Sequence, residues 1–135
     1  MLTLCIHQAC FLAMTSLALC HEPARSSISD AGMLRIIKGA LSHESYGVRA
    51  AACQVTRALS RSIAIMRTTL MDSGIADRIL ELLGQEEKRF SQSAENENDF
   101  PDIRGNGRRD TVMAAGTATL CNLVSFVHLS LTRRC

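Results

Sequence analysis

Six cysteines and four histidines are the side chains of this sequence with the widest chemical reach. Cys5, Cys10, Cys20, Cys53, Cys121 and Cys135 contain no Cys-x-x-Cys pair. Most lie in apolar helical runs, where a free thiol packs as a small hydrophobe. That usage points to a reducing compartment and no disulfide framework. Cys5, His7, Cys10, Cys20 and His21 offer ligand chemistry near the start of the chain, but their spacings match no zinc pattern, so no metal is expected. His7, His21, His43 and His128 form no visible constellation. A catalytic thiol needs a base beside it and partial exposure. Cys53 and Cys121 fall by pattern in helical cores, so the expectation is no enzyme, no catalytic residue and no cofactor. Gly105-Asn106-Gly107 follows no strand, and a phosphate-binding reading fails on that context.

The remaining candidates are polar recognition groups. Arg57 and Arg61 are four residues apart on one helical turn, with Arg49 two turns upstream. Together with Arg67 they offer a cationic surface to an acidic partner segment; the plainer alternative is a solvated helix face. Lys88-Arg89 and Arg108-Arg109 flank a polar stretch and form a weak nuclear-targeting pattern. Ser91 and Ser93 are accessible to phosphorylation there. The net charge of +2 gives no general argument for nucleic acid or an anionic membrane.

The elements that carry these groups read as helices. The apolar fraction is 47%, with one Tyr, four Phe and no Trp. A core of Ala, Leu, Ile, Val and Met favours helix, and period-two alternation is absent. Ser45 to Arg61 reads as one helix, Ser62 to Met71 as a second and Gly74 to Leu83 as a third. Val48, Ala51, Ala52, Val55 and Leu59 share a stripe of the first, while Arg49, Gln54, Arg57 and Arg61 point elsewhere. Met33 to Leu41 is a further helix. Residues 22–31, with Pro23, three Ser and Asp30, precede it. Residues 1–20 are apolar and uncharged. A signal peptide wants a positive start, and Thr3, His7, Gln8, Thr15 and Ser16 interrupt the run. A buried helix is therefore expected there, with the secretory alternative left open by Cys20 after a small, apolar segment. From Gln85 to Arg109 the composition turns polar and reads as a mobile loop. Helix resumes with Asp110 as N-cap, and Val112, Ala115, Thr119, Leu120, Leu123 and Val127 share its face. Residues 128–135 read as a frayed tail.

The sequence repeats. Asp30-Ala31-Gly32-Met33 aligns with Asp72-Ser73-Gly74-Ile75 at an offset of 42 residues. The same offset carries Ile37 onto Ile79, Leu41 onto Leu83, Leu17 onto Leu59 and Ala9 onto Ala51. Val48-Arg49-Ala50-Ala51 aligns with Val112-Met113-Ala114-Ala115 at 64, and the polar insertion accounts for the difference. A period near 42 with three helices per unit is an armadillo-type pattern. The expected fold is all-α, an armadillo-type α-solenoid fragment. Residues 1–21 would be the last helix of a preceding repeat and 22–61 one repeat. Residues 62–127 would be a second, with the insertion at 85–109. Each repeat buries its apolar face against neighbours, and neither end looks capped. The expectation is a slice of a longer array or a truncated gene product.

With the repeats placed, particular residues carry a resemblance. Ala51-Ala52-Cys53, Arg57-Ala58-Leu59-Ser60-Arg61-Ser62, Arg67-Thr68-Thr69-Leu70 and Leu120-Cys121-Asn122-Leu123-Val124 resemble the armadillo repeat-containing protein 8 family. That family is the armadillo subunit of the GID (CTLH) ubiquitin ligase, the vacuolar import and degradation protein of fungi. The resemblance covers about residues 45–127. It implies a non-catalytic scaffold that joins ligase core to substrate receptor, in cytoplasm and nucleus, with no nucleic-acid or membrane partner. The alternative is a cargo-binding adaptor of the nuclear-import or adhesion type, where Asn on each third helix holds a peptide backbone beside a Trp. Here Asn122 has Ala118 one turn earlier, and its repeat partners are Ala58 and Ser16. Two of three rungs and every Trp are missing, so Asn122 is expected at most to touch one partner residue or cap a neighbouring carbonyl. A small helical cysteine enzyme is the least favoured reading.

Overall fold

The computed structural model describes residues 2–61, 64–94 and 112–125, without the side chains of 64–67, 90, 93 and 94. These form helices, with no strand among the described residues. They are α1 (Leu2–Cys20), α2 (Glu22–Asp30), α3 (Met33–Ala40), α4 (Tyr46–Ser60), α5 (Ala64–Asp72), α6 (Ile75–Ala94) and α7 (Val112–Ser125). The all-α expectation holds.

The 42-residue offset lays α2 onto α5 from end to end and starts α3 where it starts α6. The turns match atom for atom. Ala31 donates its N–H to the Ser27 carbonyl and Gly32 to that of Ser29, at 3.0 and 2.9 Å. Ser73 donates to Thr69 and Gly74 to Met71, both at 3.0 Å. Gly32 and Gly74 then adopt φ of 72° and 69°. A side chain in that left-handed region costs about 1–2 kcal/mol, which is why glycine closes both turns.

Helix α4 is the centre of the core. Val48, Ala51, Ala52, Val55 and Leu59 are buried as the stripe requires, and so are Ala50, Cys53, Thr56, Ala58 and Ser60 on other faces. A helix buried on several sides needs neighbours on several sides. Helix α1 lies along one flank and α3 beside it. Hydrogen bonds among the described residues join α7 to α4. The Tyr46 hydroxyl accepts the Val112 N–H at 3.4 Å, and the Asn122 amide donates to the Ser60 hydroxyl at 3.0 Å. Ile37, Leu41, Leu70, Ile75 and Ile79 complete the core.

Three expectations are corrected, and one further helix is found. Residues 1–20 are helical but not buried: only Phe11 and Ala18 are enclosed, because α1 meets the rest of the structure along one flank. It is long and apolar enough to cross a membrane by length and composition. Residues 22–30 are helix. Pro23 sits in the first turn of α2, where a missing N–H costs nothing. Arg25 Nε also donates to the last turn of α1, at the Ala18 carbonyl (2.5 Å). Helix α6 runs to Ala94, ten residues into the expected loop, because Glu86 is drawn into the interior and anchors the extra turns. Arg49 belongs to that same interior. It is 5% exposed, so it contributes nothing to a cationic surface.

The rest of the expected loop at 95–109, the Asp110 cap, Val127 and the 128–135 tail lie outside the described residues.

Candidate functional site

The offset also organises a groove of about 510 Å³ across the third-position helices α1, α4 and α7. It is lined by Thr15 and Leu19 from α1, Gln54, Arg57 and Arg61 from α4, and Ala114 and Ala115 from α7. Thr15 and Arg57 stand 42 residues apart, as do Leu19 and Arg61. The same helical register therefore supplies small or apolar walls on one side and two guanidinium groups in the middle. Arg57 and Arg61 are both exposed. Among the described residues neither pairs with a carboxylate, and no carboxylate lines the groove. Two like charges four residues apart on a helix repel each other slightly, which leaves the pair receptive to an anionic partner. A guanidinium fork suits a carboxylate, which it can hold with two parallel hydrogen bonds.

Of the four residues singled out in the sequence, the structure brings Arg57 and Arg61 together. The Arg67 side chain lies outside the described residues. Asn122 is half-buried on the α4 side of α7. Its amide is directed at Ser60 rather than into the groove, and there it holds α7 against the end of α4.

Sequence reasoning missed a buried ion pair, Arg49 with Glu86, that the exposed Arg89 joins from outside. Arg49 Nη2 donates to Glu86 Oε1 at 2.6 Å, and Arg89 Nη1 reaches the same oxygen at 2.9 Å. Arg49 Nη1 donates backward to the carbonyls of His43 and Glu44, at 2.9 and 2.7 Å. Its guanidinium stands 5.5 Å from the centre of the Tyr46 ring. One side chain thus clamps the α3–α4 turn, α6 and the tyrosine that caps α7. Taking one member of such a buried pair away costs several kcal/mol, because the other charge is left in low dielectric. No local signal marks it: Glu86 is 37 residues away and sits in the most charge-rich stretch of the chain. A polar residue inside an otherwise apolar helix, such as Arg49 between Val48 and Ala50, was the available hint.

The thiols divide sharply. Burial first of all, with a smaller push from Glu86, raises the Cys53 thiol to about 12 against the opposing pull of Arg49. It is a protonated core atom at neutral pH and no nucleophile. Cys5, Cys10, Cys20 and Cys121 are exposed, which corrects the core placement of Cys121. Cys121 lies off the buried Val112–Ala115–Thr119–Leu123 stripe of α7. Among the described residues no three His, Cys, Asp or Glu side chains converge as metal ligands would.

Against known proteins, the chain is 34% identical over 89 residues to "GID complex subunit 5" of Schizosaccharomyces pombe (strain 972 / ATCC 24843). The match takes in 66% of this chain and 11% of that protein, so the chain spans about a tenth of its relative's length. It is a partial relationship to a subunit of a multiprotein complex. No protein-family model matches the sequence, and no solved structure matches it.

Proposed function

We propose that this chain is an armadillo-type α-solenoid segment that serves as a non-catalytic protein-docking scaffold in a GID-type ubiquitin ligase. The observation that carries the reading is the recurrence of α1–α2–α3 as α4–α5–α6. It extends to the bounds of α2 and α5, the starts of α3 and α6, the turn hydrogen bonds and the left-handed glycines, in a chain related to a GID complex subunit. A succession of like units, each covering the next, exposes a continuous row of third helices, and such a row is a docking surface by construction. Here that row carries Arg57 and Arg61, so the partner segment is acidic. Ligase-core and substrate-receptor subunits are the partner classes, in cytoplasm and nucleus, and the chain contributes to ubiquitin-dependent degradation by holding proteins together.

The import-type adaptor is the weaker reading. Asn122, the single candidate rung of a peptide ladder, spends its amide on Ser60.

Co-purification of the tagged chain with GID core subunits tests the proposal. The wild type should recover them, and Arg57→Glu with Arg61→Glu should reduce recovery at least about tenfold while leaving helical content unchanged. Equal recovery by the charge-reversed chain would remove the groove from the account. Absence of core subunits from the wild-type sample would remove the ligase assignment.

A further inference from the structure

Gln54, Arg57 and Arg61 stand on one side of α4 and line the groove together. The rise of the helix sets Arg61 about 6 Å beyond Arg57 and Gln54 about 4.5 Å before it. Among the described residues none of the three side chains has a hydrogen-bond or ion-pair partner. Ala114 and Ala115 of α7 bring only methyl groups to the groove, and Thr15 of α1 spends its hydroxyl proton on the Phe11 carbonyl at 2.8 Å. The free donors are therefore the two guanidinium groups and one amide, at fixed steps along a single helix. Two cations at a fixed separation read the separation of two anions. An extended segment rises about 3.3 Å per residue and turns alternate side chains to one face, so its side chains i and i+2 lie about 6.6 Å apart. That matches the step from Arg57 to Arg61. A helix also sets side chains i and i+4 about 6 Å apart, but it is about 10 Å across, and a stretch as long as Gln54 to Arg61 fills about 800 Å³. The groove holds about 510 Å³, which is room for an extended segment rather than a helix.

We propose that the groove reads two acidic residues separated by one other, in an extended segment of a partner protein, with one carboxylate on Arg57 and the other on Arg61. The side chain between them points away from the groove and is free to vary. Each guanidinium holds its carboxylate through two parallel hydrogen bonds, which fixes geometry as well as charge. Gln54 carries an amide donor and a carbonyl acceptor, the complement of what one peptide unit of an extended chain presents. It therefore engages the backbone beside the Arg57 carboxylate and adds affinity without reading sequence. The small side chains of Ala114 and Ala115 let that backbone come close. The inference rests on the reading of the groove as a docking surface. It adds the spacing of the partner's acids and does not depend on which complex the chain serves.

Nuclear magnetic resonance titration of the full 135-residue chain tests it, read at the side-chain Nε–H signals of Arg57 and Arg61. The probes are end-blocked heptapeptides of Gly, Ser and Ala with two glutamates that are adjacent, separated by one residue or separated by three. The one-residue spacer should bind at least about threefold tighter than the other two, and changing both glutamates to glutamine should abolish binding. Arg61→Gln should weaken binding and level the three spacings, because a single cation cannot measure a distance. Gln54→Ala should weaken every glutamate peptide by the same factor and keep the preference. Equal binding at all spacings would overturn the proposal and leave only diffuse attraction. Tightest binding by the three-residue spacer would give the groove to a helical partner and overturn it as well. So would the absence of any shift at Arg57 and Arg61. Co-purification separates this failure from that of the wider reading. GID core subunits recovered through Arg57 and Arg61 by a chain without spacing preference fault the motif alone. A spacing preference with no core subunit recovered upholds the motif and faults the ligase assignment.

Discussion

Helices α1 and α4 hold corresponding places 42 residues apart, yet they live in different surroundings. Leu59 of α4 is fully enclosed, while Leu17, its counterpart on α1, is 58% exposed. Arg49 of α4 reaches the carboxylate of Glu86 in the interior, and its counterpart His7 is exposed. The two helices share a design and differ in how many neighbours flank them. An apolar stripe on a helix thus records that a neighbour is wanted, and burial records whether one is present. The difference also separates two jobs. Helix α4 holds the structure together and lends its outer edge, Arg57 and Arg61, to the groove. Helix α1 leaves most of its surface exposed.

The comparison can be broken most forcefully at the buried ion pair. Glu86→Ala leaves Arg49 charged and uncompensated, and should destabilise the chain by about 3–5 kcal/mol in urea unfolding. His7→Ala, at the position that corresponds to Arg49, should cost under about 0.5 kcal/mol. Similar losses at both sites would mean that α1 is as deeply held as α4. Next comes the leucine pair. Leu59→Ala should cost about 2–5 kcal/mol by removing enclosed methyl groups and leaving a cavity. Leu17→Ala should stay within about 0.5 kcal/mol, measured the same way.

The glycine pair sharpens the likeness instead of the contrast. Gly32→Ala and Gly74→Ala should each cost about 1–2 kcal/mol, because both turns need the left-handed backbone. Their effects should be nearly equal, apart from a small shift of Lys38. Its ammonium group hydrogen-bonds the Ser73 carbonyl at 3.0 Å and would crowd a methyl group at position 74. A loss at one turn and none at the other would break the equivalence of the two units.

The smallest effect, nil at neutral pH, belongs to Cys53. Its thiol holds its proton to about 12 in the folded chain, against an ordinary value of 9.0. Above that ordinary value the unfolded chain loses the proton while the folded chain keeps it. The stability this group contributes is whole below pH 9.0 and drains away as pH climbs toward about 12. Burial raises the Tyr46 hydroxyl as well, which adds a loss of the same sign. Melting temperature should therefore fall less steeply above pH 9.0 in Cys53→Ala than in the wild type.

Much of this contrast was legible in the residues, though unevenly. The period was written in Asp30-Ala31-Gly32 and Asp72-Ser73-Gly74, since left-handed turns leave a local mark in the sequence. The stripe on α4 was written in Val48 through Leu59, because helical periodicity is local too. The pairing of Arg57 with Arg61 followed from four-residue spacing alone. Exposure of α1 was not written anywhere, because Ile6 and Leu17 have the composition of core residues whether or not a neighbour covers them. Burial of Arg49 depends on Glu86 reaching it from α6, and a long-range partner leaves no periodic trace. Glu22–Asp30 and the extension of α6 to Ala94 were hidden for the same reason. Their propensities are weak, and tertiary anchors at Ala18 and Arg49 decide their state. The groove needed α1 and α7 set beside α4, so only its central arginines could be named beforehand.

Residue-resolved hydrogen exchange on the wild-type chain, at a concentration where it is monomeric, tests the central claim most directly. If α4 is the flanked member and α1 the open one, amides from Val48 to Leu59 should exchange only through global unfolding. Amides from Ile6 to Leu17 should exchange at least about tenfold faster, through local opening. Equal protection across the two helices would contradict the account.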